Sequence, residues 1–381
     1  MHLPRLKRAT FATVLLLGVA HSVTSQAATV VYQGVATEIA RTLPDANDLW
    51  IAPSDFTRVN GFVLKPEGLC REELCIPLRQ TEDTDMFVNR EGEKWLSLTQ
   101  FARNGQQAYA RDVASDVWSF GEYPLARDNF LQSAMAPDFA LKDRNGKTVK
   151  LADFRGKKVL LVTWASWCGC RLDVAAWQPI YAELKAKNFE ILSFAEDTAG
   201  EAAAGPILDA AKPTYTTVID TKHVISQLYN FVNVPSAAWI DEQGRIVRIN
   251  EGAYAKTHEL SAAMTIGTDA YTPALRDWVT NGAKSKYVWS SQKVAKKIRK
   301  KTSDEAKAEA VFQLGTYFFD RSDRAKADTY WNRAQSLFPE SWNMHRQDWS
   351  ITEPANAGAN WRTKRQRMEA EGTVYYEDLE L

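Results

Sequence analysis

The chain has 381 residues, 45% of them hydrophobic and 25% charged, with 47 basic and 47 acidic side chains. That length holds two or three domains with real cores, and the charge balance gives no reason to expect nucleic acid or an anionic membrane as a partner. Four cysteines, Cys70, Cys75, Cys168 and Cys170, stand against five histidines, of which only His223, His258 and His345 lie beyond the first 27 residues.

The chain opens on Met1-His2-Leu3-Pro4-Arg5-Leu6-Lys7-Arg8, follows with an apolar stretch from Phe11 to Ala20, and reaches small residues at Ser25-Gln26-Ala27. A charged start, a short apolar centre and a small-residue cut predict a signal peptide over residues 1–27, too short in its apolar run to span a bilayer comfortably. No cysteine precedes Cys70, so the cut carries no lipid-attachment site. Losing Arg5, Lys7 and Arg8 leaves 44 basic against 47 acidic residues, and nothing later approaches a membrane-spanning length. The expected location is periplasmic or secreted. An even cysteine count in such a compartment suggests two disulfides, with the pairing left open by sequence alone.

Residues 28–130 predict an N-terminal domain with β content and no assignable fold. Gly61-Phe62-Val63-Leu64 and Leu74-Cys75-Ile76-Pro77-Leu78 read as strands around one charged turn, bracketed by Cys70 and Cys75. A disulfide there staples the domain; a second redox pair and a metal site are the alternatives. Trp95-Leu96-Ser97-Leu98 and Asp116 to Gly121 suggest further strands or a helix between them.

Residues 131–280 are the most legible. Lys158-Val159-Leu160-Leu161-Val162-Thr163 is an apolar, β-branched run of the kind buried on both faces of a parallel sheet. Val174, Trp177, Tyr181 and Leu184 then recur at helical steps, with Cys170 on the same stripe. Trp164-Ala165-Ser166-Trp167-Cys168-Gly169-Cys170-Arg171 therefore lies at a strand-to-helix turn, where unpaired N–H groups and the Arg171 charge favour a thiolate. Cys168, on the open end of the turn, is the expected attacking sulfur and Cys170 the resolving one; the bland alternative is two inert buried cysteines. Strands at Phe189–Phe194 and Thr216–Ile219, helices over 200–211 and Val224–Tyr229, and a hairpin of Ser236–Asp241 with Arg245–Ile249 complete an α/β thioredoxin order.

Five segments, Ala136-Pro137-Asp138-Phe139, Asn145-Gly146-Lys147, Leu151 to Lys157, Trp164 to Cys168 and Val234-Pro235-Ser236-Ala237-Ala238-Trp239-Ile240-Asp241, together resemble the TlpA/ResA group of thioredoxin-like, exported thiol–disulfide oxidoreductases. The resemblance covers roughly residues 134–255. It implies a cis bond at Val234–Pro235, a loop lying against the cysteines, and a Val234 backbone that pairs with an extended substrate chain. It also places Asp173 where the family often has a glutamate able to pass a proton to the resolving thiol; an acid favoured by the helix dipole is the plain alternative. Glu196 and Asp197 are further acids near that sheet edge. Trp167 is expected to shield the thiol and Trp164 to belong to the core. The family usually has two residues between its cysteines, and here only Gly169 intervenes. Side chains two apart on a regular helix diverge by about 200°, so pairing requires Cys168 to precede the helix, and such a small ring predicts a more oxidising disulfide.

Residues 281–381 predict a helical tail. Lys293 to Lys301 is a basic run read as a solvated helix face, with a docking surface for an acidic partner as the alternative. Thr302-Ser303-Asp304-Glu305 reads as a capping box. Leu314, Gly315, Phe318, Ala327, Trp331, Ala334 and Pro339 fall at the spacing of one tetratricopeptide (TPR) repeat. The polar end, with Asn356 to Arg367, reads as partly disordered.

The leading expectation is thus a thiol–disulfide oxidoreductase working on protein thiols or disulfides, with a redox partner protein to restore the pair, and with no cofactor and no metal. Two further readings stand beside it. A thiol peroxidase would have proline and threonine where this chain has Leu161 and Ala165. Copper(I) handling suits two thiolates one residue apart but lacks an evident third ligand. A binding protein working through its tail is the alternative outside redox chemistry.

Overall fold

The computed structural model describes residues 26–381 apart from 72, 73 and 263. The expected signal peptide therefore lies outside the described residues except at its last two positions. Among the described residues no helix is long and apolar enough to cross a membrane.

The N-terminal part is built on a four-stranded sheet in the order Val35–Thr42, Gln26–Tyr32, Val117–Phe120, Tyr109–Asp112. Strands Val63–Lys65, Gly68–Arg71 and Leu74–Pro77 form a small meander. Sequence reading missed its middle strand, so Cys70 lies within that strand rather than at the edge of one long turn. It faces Cys75 directly across the antiparallel pair, and the two are bonded. The segments read around Trp95 and Trp118 are strands Glu93–Ser97 and Val117–Phe120, with helix Leu98–Asn104 between them.

The central sheet has five strands: β1 (Lys158–Trp164), β2 (Phe189–Ala195), β3 (Thr216–Ile219), β4 (Ser236–Ile240) and β5 (Ile246–Glu251), in the order β3-β2-β1-β4-β5. β1, β2 and β3 run parallel, while β4 and β5 are antiparallel additions. This is the thioredoxin-like arrangement. Alternation along β1 sends Val159 and Leu161 into one core and Leu160 and Val162 into the other, which is why the run is apolar at consecutive positions. Helices α1 (Asp173–Leu184), α2 (Glu201–Ala211) and α3 (Val224–Tyr229) connect the strands.

Past β5 comes a hairpin, β6 (His258–Ser261) and β7 (Met264–Ile266), then α4 (Tyr271–Asn281) and α5 (Ser291–Lys297). Four more helices complete the chain: α6 (Ser303–Asp320), α7 (Arg324–Leu337), α8 (Trp342–Thr352) and α9 (Ala357–Ala370). The Thr302 hydroxyl and the Glu305 carboxylate close a capping box at the start of α6. α6 and α7 form a helical hairpin whose Phe312 and Trp331 share a core with Val31, Ala110 and Val117 of the N-terminal sheet.

Two tail expectations change. The basic run is no plain solvated face: Lys293 and Lys297 pair with Glu380, and Lys301 is buried against Glu309. The stretch read as partly disordered is helix α9, held because Met368 and Lys364 are buried and Trp361 packs edge-on against Tyr375.

Candidate functional site

β1 ends at Trp164, which is buried and donates from its indole to Ser193 Oγ at 3.0 Å. The chain then turns through Ala165 to Cys168 into a 3-10 turn, Gly169–Leu172, with Cys168 as its N-cap, and α1 begins at Asp173. Because Cys168 stands before the turn in extended backbone, its sulfur meets that of Cys170, and the two are joined in a disulfide. The Cys170 N–H donates to the Cys168 sulfur at 3.2 Å, and Arg171 donates to the Cys168 carbonyl at 3.1 Å. These are donors aimed at the sulfur and its own peptide group, the environment that favours a thiolate at a helix start.

The pair is not open to solvent in the way the sequence suggested. Cys168 is 2% exposed and Cys170 is fully buried. The cover on Cys168 comes from parts of the chain far away in sequence. Trp167 is half-buried, with the Arg346 guanidinium over its ring at 4.7 Å and donating to its carbonyl at 3.0 Å. Its indole donates to Gln347 Oε1 at 3.3 Å, an oxygen that also accepts from the Thr198 N–H at 2.9 Å. The hairpin β6–β7 lies on Gly169 so closely that a Cβ there would stand 2.5 Å from Ile266 Cδ1.

The Val234–Pro235 bond is cis, and the Val234 carbonyl oxygen lies 3.6 Å from the Cys168 sulfur. Here the structure departs from the expected free edge. That carbonyl accepts from the Tyr376 hydroxyl at 2.6 Å, and the Val234 N–H is held by Asn233 Oδ1 at 3.0 Å. The segment carrying Tyr376 is anchored further on, where Arg248 donates to the Leu379 carbonyl and, at 2.8 Å, to that of Glu380.

Asp173 is buried one turn past Cys170, accepts from the Ala255 N–H at 3.1 Å, and lies 2.7 Å from His258 Nε2. Burial pushes its carboxyl up, and the His258 contact opposes the rise. Asp197 accepts from both the N–H and the hydroxyl of Ser166, at 2.9 and 2.6 Å, and burial pushes it up to about 6. Glu196 is bonded to Ser226 and Asn343 and raised well above the usual range by burial, with the Asp220 charge adding to the effect. The structure thus gathers Cys168, Cys170, Trp167, Arg171, Asp173, Val234 and Pro235 around one turn. Cys70 and Cys75 stay in the N-terminal meander. With both of their sulfurs bonded, the cluster they form with Glu67 offers no thiolate to a metal.

The AhpC/TSA family profile matches residues 133–249. The thiol-disulfide oxidoreductase ResA of Oceanobacillus iheyensis is 33% identical over 123 residues, which is 31% of this chain and 64% of that protein. ResA of Geobacillus kaustophilus is 32% identical over 128 residues, 32% of this chain and 70% of its own length. Thioredoxin-like protein YneN of Bacillus subtilis is 32% identical over 127 residues, 33% of this chain and 74% of its own. The chain belongs to the ResA-like thiol–disulfide oxidoreductase family.

The AhpC/TSA match ends at residue 249, so His258, Ile266, Arg346, Gln347 and Tyr376 all lie beyond the part by which that family is recognised. Sequence reasoning missed every one of them as site residues. The one available signal was the Tyr375-Tyr376 pair, two adjacent aromatics flanked by Val374 and Glu377.

Proposed function

We propose that the protein is an exported thiol–disulfide oxidoreductase whose redox pair is Cys168 and Cys170. The observation that carries this reading is the bond between two sulfurs one residue apart, with Cys168 on the wall of a cavity and Cys170 behind it. In the bonded form a substrate thiolate attacks Cys168. The Cys168–Cys170 bond breaks, and its electron pair leaves on Cys170, which takes up a proton. A second thiolate attacks the substrate sulfur of the mixed disulfide and releases Cys168. Two thiols become one disulfide, and the protein gains two electrons and two protons. In reverse, Cys168 attacks a substrate disulfide and Cys170 resolves.

The other residues have supporting roles in this reading. Arg171 and the Cys170 N–H stabilise charge at Cys168, and Pro235 offers no N–H to compete at the loop. Trp167 covers the sulfur, and Asp173 with His258 serves the Cys170 proton. We read Cys70–Cys75 as a staple, residues 1–27 as a signal peptide, and 28–130, 131–280 and 281–381 as the three units of the mature protein. The α6–α7 pair, with Gly315 under Trp331, supports a single TPR-like unit.

The AhpC/TSA match favours a thiol peroxidase as the second reading. Both are tested together. Cys170→Ser should accumulate a mixed disulfide on Cys168 when offered a disulfide, and Cys168→Ser should accumulate none and lose turnover. Turnover by Cys168→Ser equal to the wild type overturns the assignment, and peroxide consumption faster than disulfide exchange selects the second reading.

A further inference from the structure

An extended peptide recognised at a cis-proline loop pairs with the backbone there, because main-chain N–H and C=O groups are what an added strand can use. In this chain both Val234 groups already have partners, Tyr376 on the carbonyl and Asn233 on the N–H. Tyr375 secures the covering segment, with its hydroxyl accepting from Arg346 at 2.9 Å and from the Trp361 indole at 3.1 Å. The protein's own C-terminal segment therefore holds the edge that a protein substrate would need.

What remains open to Cys168 is a cavity of about 950 Å³ between the hairpin β6–β7, helices α8 and α9, and that segment. Pockets of this size hold small molecules rather than folded chains. Its inner wall is aromatic and aliphatic, with Trp167, Tyr254 and Ile266 beside Cys168, and Arg346 and Arg362 face the same space. Arg365 is answered by Glu369 at 2.7 Å, whereas neither Arg346 nor Arg362 has an ion pair among the described residues. The acids on the wall do not cancel them. Glu251 is occupied by the Val232 N–H at 2.7 Å and pushed up to about 7 by burial, and Glu377 is exposed and pairs with neither arginine among the described residues.

We propose that the substrate of the Cys168–Cys170 pair is a small thiol or disulfide with an apolar or aromatic body and a carboxylate, bound in this cavity, rather than a protein chain laid along Val234. This rests on the redox reading above and narrows it. The exchange is the one already written: two small thiols lose two electrons to the protein disulfide and join as one small disulfide, or a small disulfide is split by the reduced pair.

The test uses the full chain, reduced by a dithiol and freed of it, in single-turnover reaction with three disulfides: dithionitrobenzoate, aromatic with carboxylates; dithiodipyridine, aromatic without them; and insulin. Each rate is divided by that of a free small thiol, which removes intrinsic reactivity. The normalised rate with dithionitrobenzoate should exceed that with dithiodipyridine by about tenfold, the scale of one charge-assisted contact. Arg362→Gln, at an exposed position where refolding is not at risk, should remove most of that preference, and Arg346→Gln should lower it as well. Insulin should be the slowest, and Tyr376→Ala should raise its rate relative to the small disulfides. A preference that survives Arg362→Gln, or insulin reacting as fast as dithionitrobenzoate, overturns the proposal while leaving thiol–disulfide exchange in place. Failure of the reduced wild type to react with any of the three overturns the redox reading and this inference with it.

Discussion

Asp197 offers a quantitative test of how the turn carrying Cys168 is held. Its carboxylate is 1% exposed and accepts two bonds from Ser166, two residues before Cys168. Burial lifts it from 3.8 to about 6, with the Ser166 bonds opposing the rise. In the unfolded chain the group releases its proton near the ordinary value, while the folded chain keeps it until about pH 6. Between those values the folded state binds more protons, so stability falls as pH rises and levels off above about 6. A difference of about two pH units corresponds to about 3 kcal/mol. Asp197→Asn removes this titration at the cost of a weaker grip on Ser166. Relative to the wild type, the variant should gain about 2 to 3 kcal/mol between pH 4 and pH 7.5, measured by urea unfolding at both. Asp220 and Glu251 titrate in both proteins and cancel, and Glu196, whose charge Asp197 opposes, moves in the same direction. A stability difference that is equal at the two pH values would refute the assignment of a buried, proton-holding carboxyl to this position.

Other substitutions probe the packing around the site. Gly169→Ala places a Cβ 2.5 Å from Ile266 Cδ1 and 3.2 Å from Leu260 Cδ1, side-chain ends that can yield, so urea unfolding should show a loss of about 1 kcal/mol. Adding Ile266→Ala should restore part of it, because the two groups compete for one space. Gly315→Ala drives its Cβ into the Trp331 ring and to 3.1 Å from the Ala327 carbonyl oxygen, a backbone atom that cannot move aside. A loss of about 2 to 3 kcal/mol is expected from thermal unfolding followed by helical circular dichroism. Replacing both Cys70 and Cys75 by serine opens a loop of sequence separation 5 and should lower stability by about 2 kcal/mol, with the exchange rate at Cys168 retained.

The central fold was legible where burial is two-sided or the backbone signals are local. β1 and β2 are continuous apolar runs because both faces of a middle strand meet core, and the α6 start is marked by the side chains of Thr302 and Glu305 themselves. The meander at 63–77 was only half legible, since Gly68–Arg71 is four residues with charge at one end and reads as turn. The cover over the site left almost no trace. Arg248 grips the terminal segment through the carbonyls of Leu379 and Glu380, and a backbone acceptor has no residue signature. His258 and Asp173 meet across 85 positions, a distance over which no periodicity speaks. Helix α9 was misread for a related reason: only Lys364 and Met368 on it are buried, and Lys364 is held from outside the helix, by the Pro339 carbonyl and the Trp342 ring.

These same contacts make the exposure of Cys168 a property of the whole chain. Three segments beyond residue 249 converge on the turn: the hairpin presses on Gly169, α8 fixes the Trp167 indole and carbonyl through Gln347 and Arg346, and the terminal segment closes over Val234. None of them belongs to the central sheet that orients the sulfurs. The sheet and the 3-10 turn set where the sulfurs lie and how they meet; the later segments set what can approach. A change in the tail can therefore alter which substrates reach Cys168 without disturbing the geometry of the bond, whereas a change in β1 or the 166–168 turn alters the bond itself. That division lets the part recognised as ResA-like keep its sheet while, on the proposal above, the selectivity of its site is written more than a hundred residues away, in Arg346, Arg362 and Tyr376.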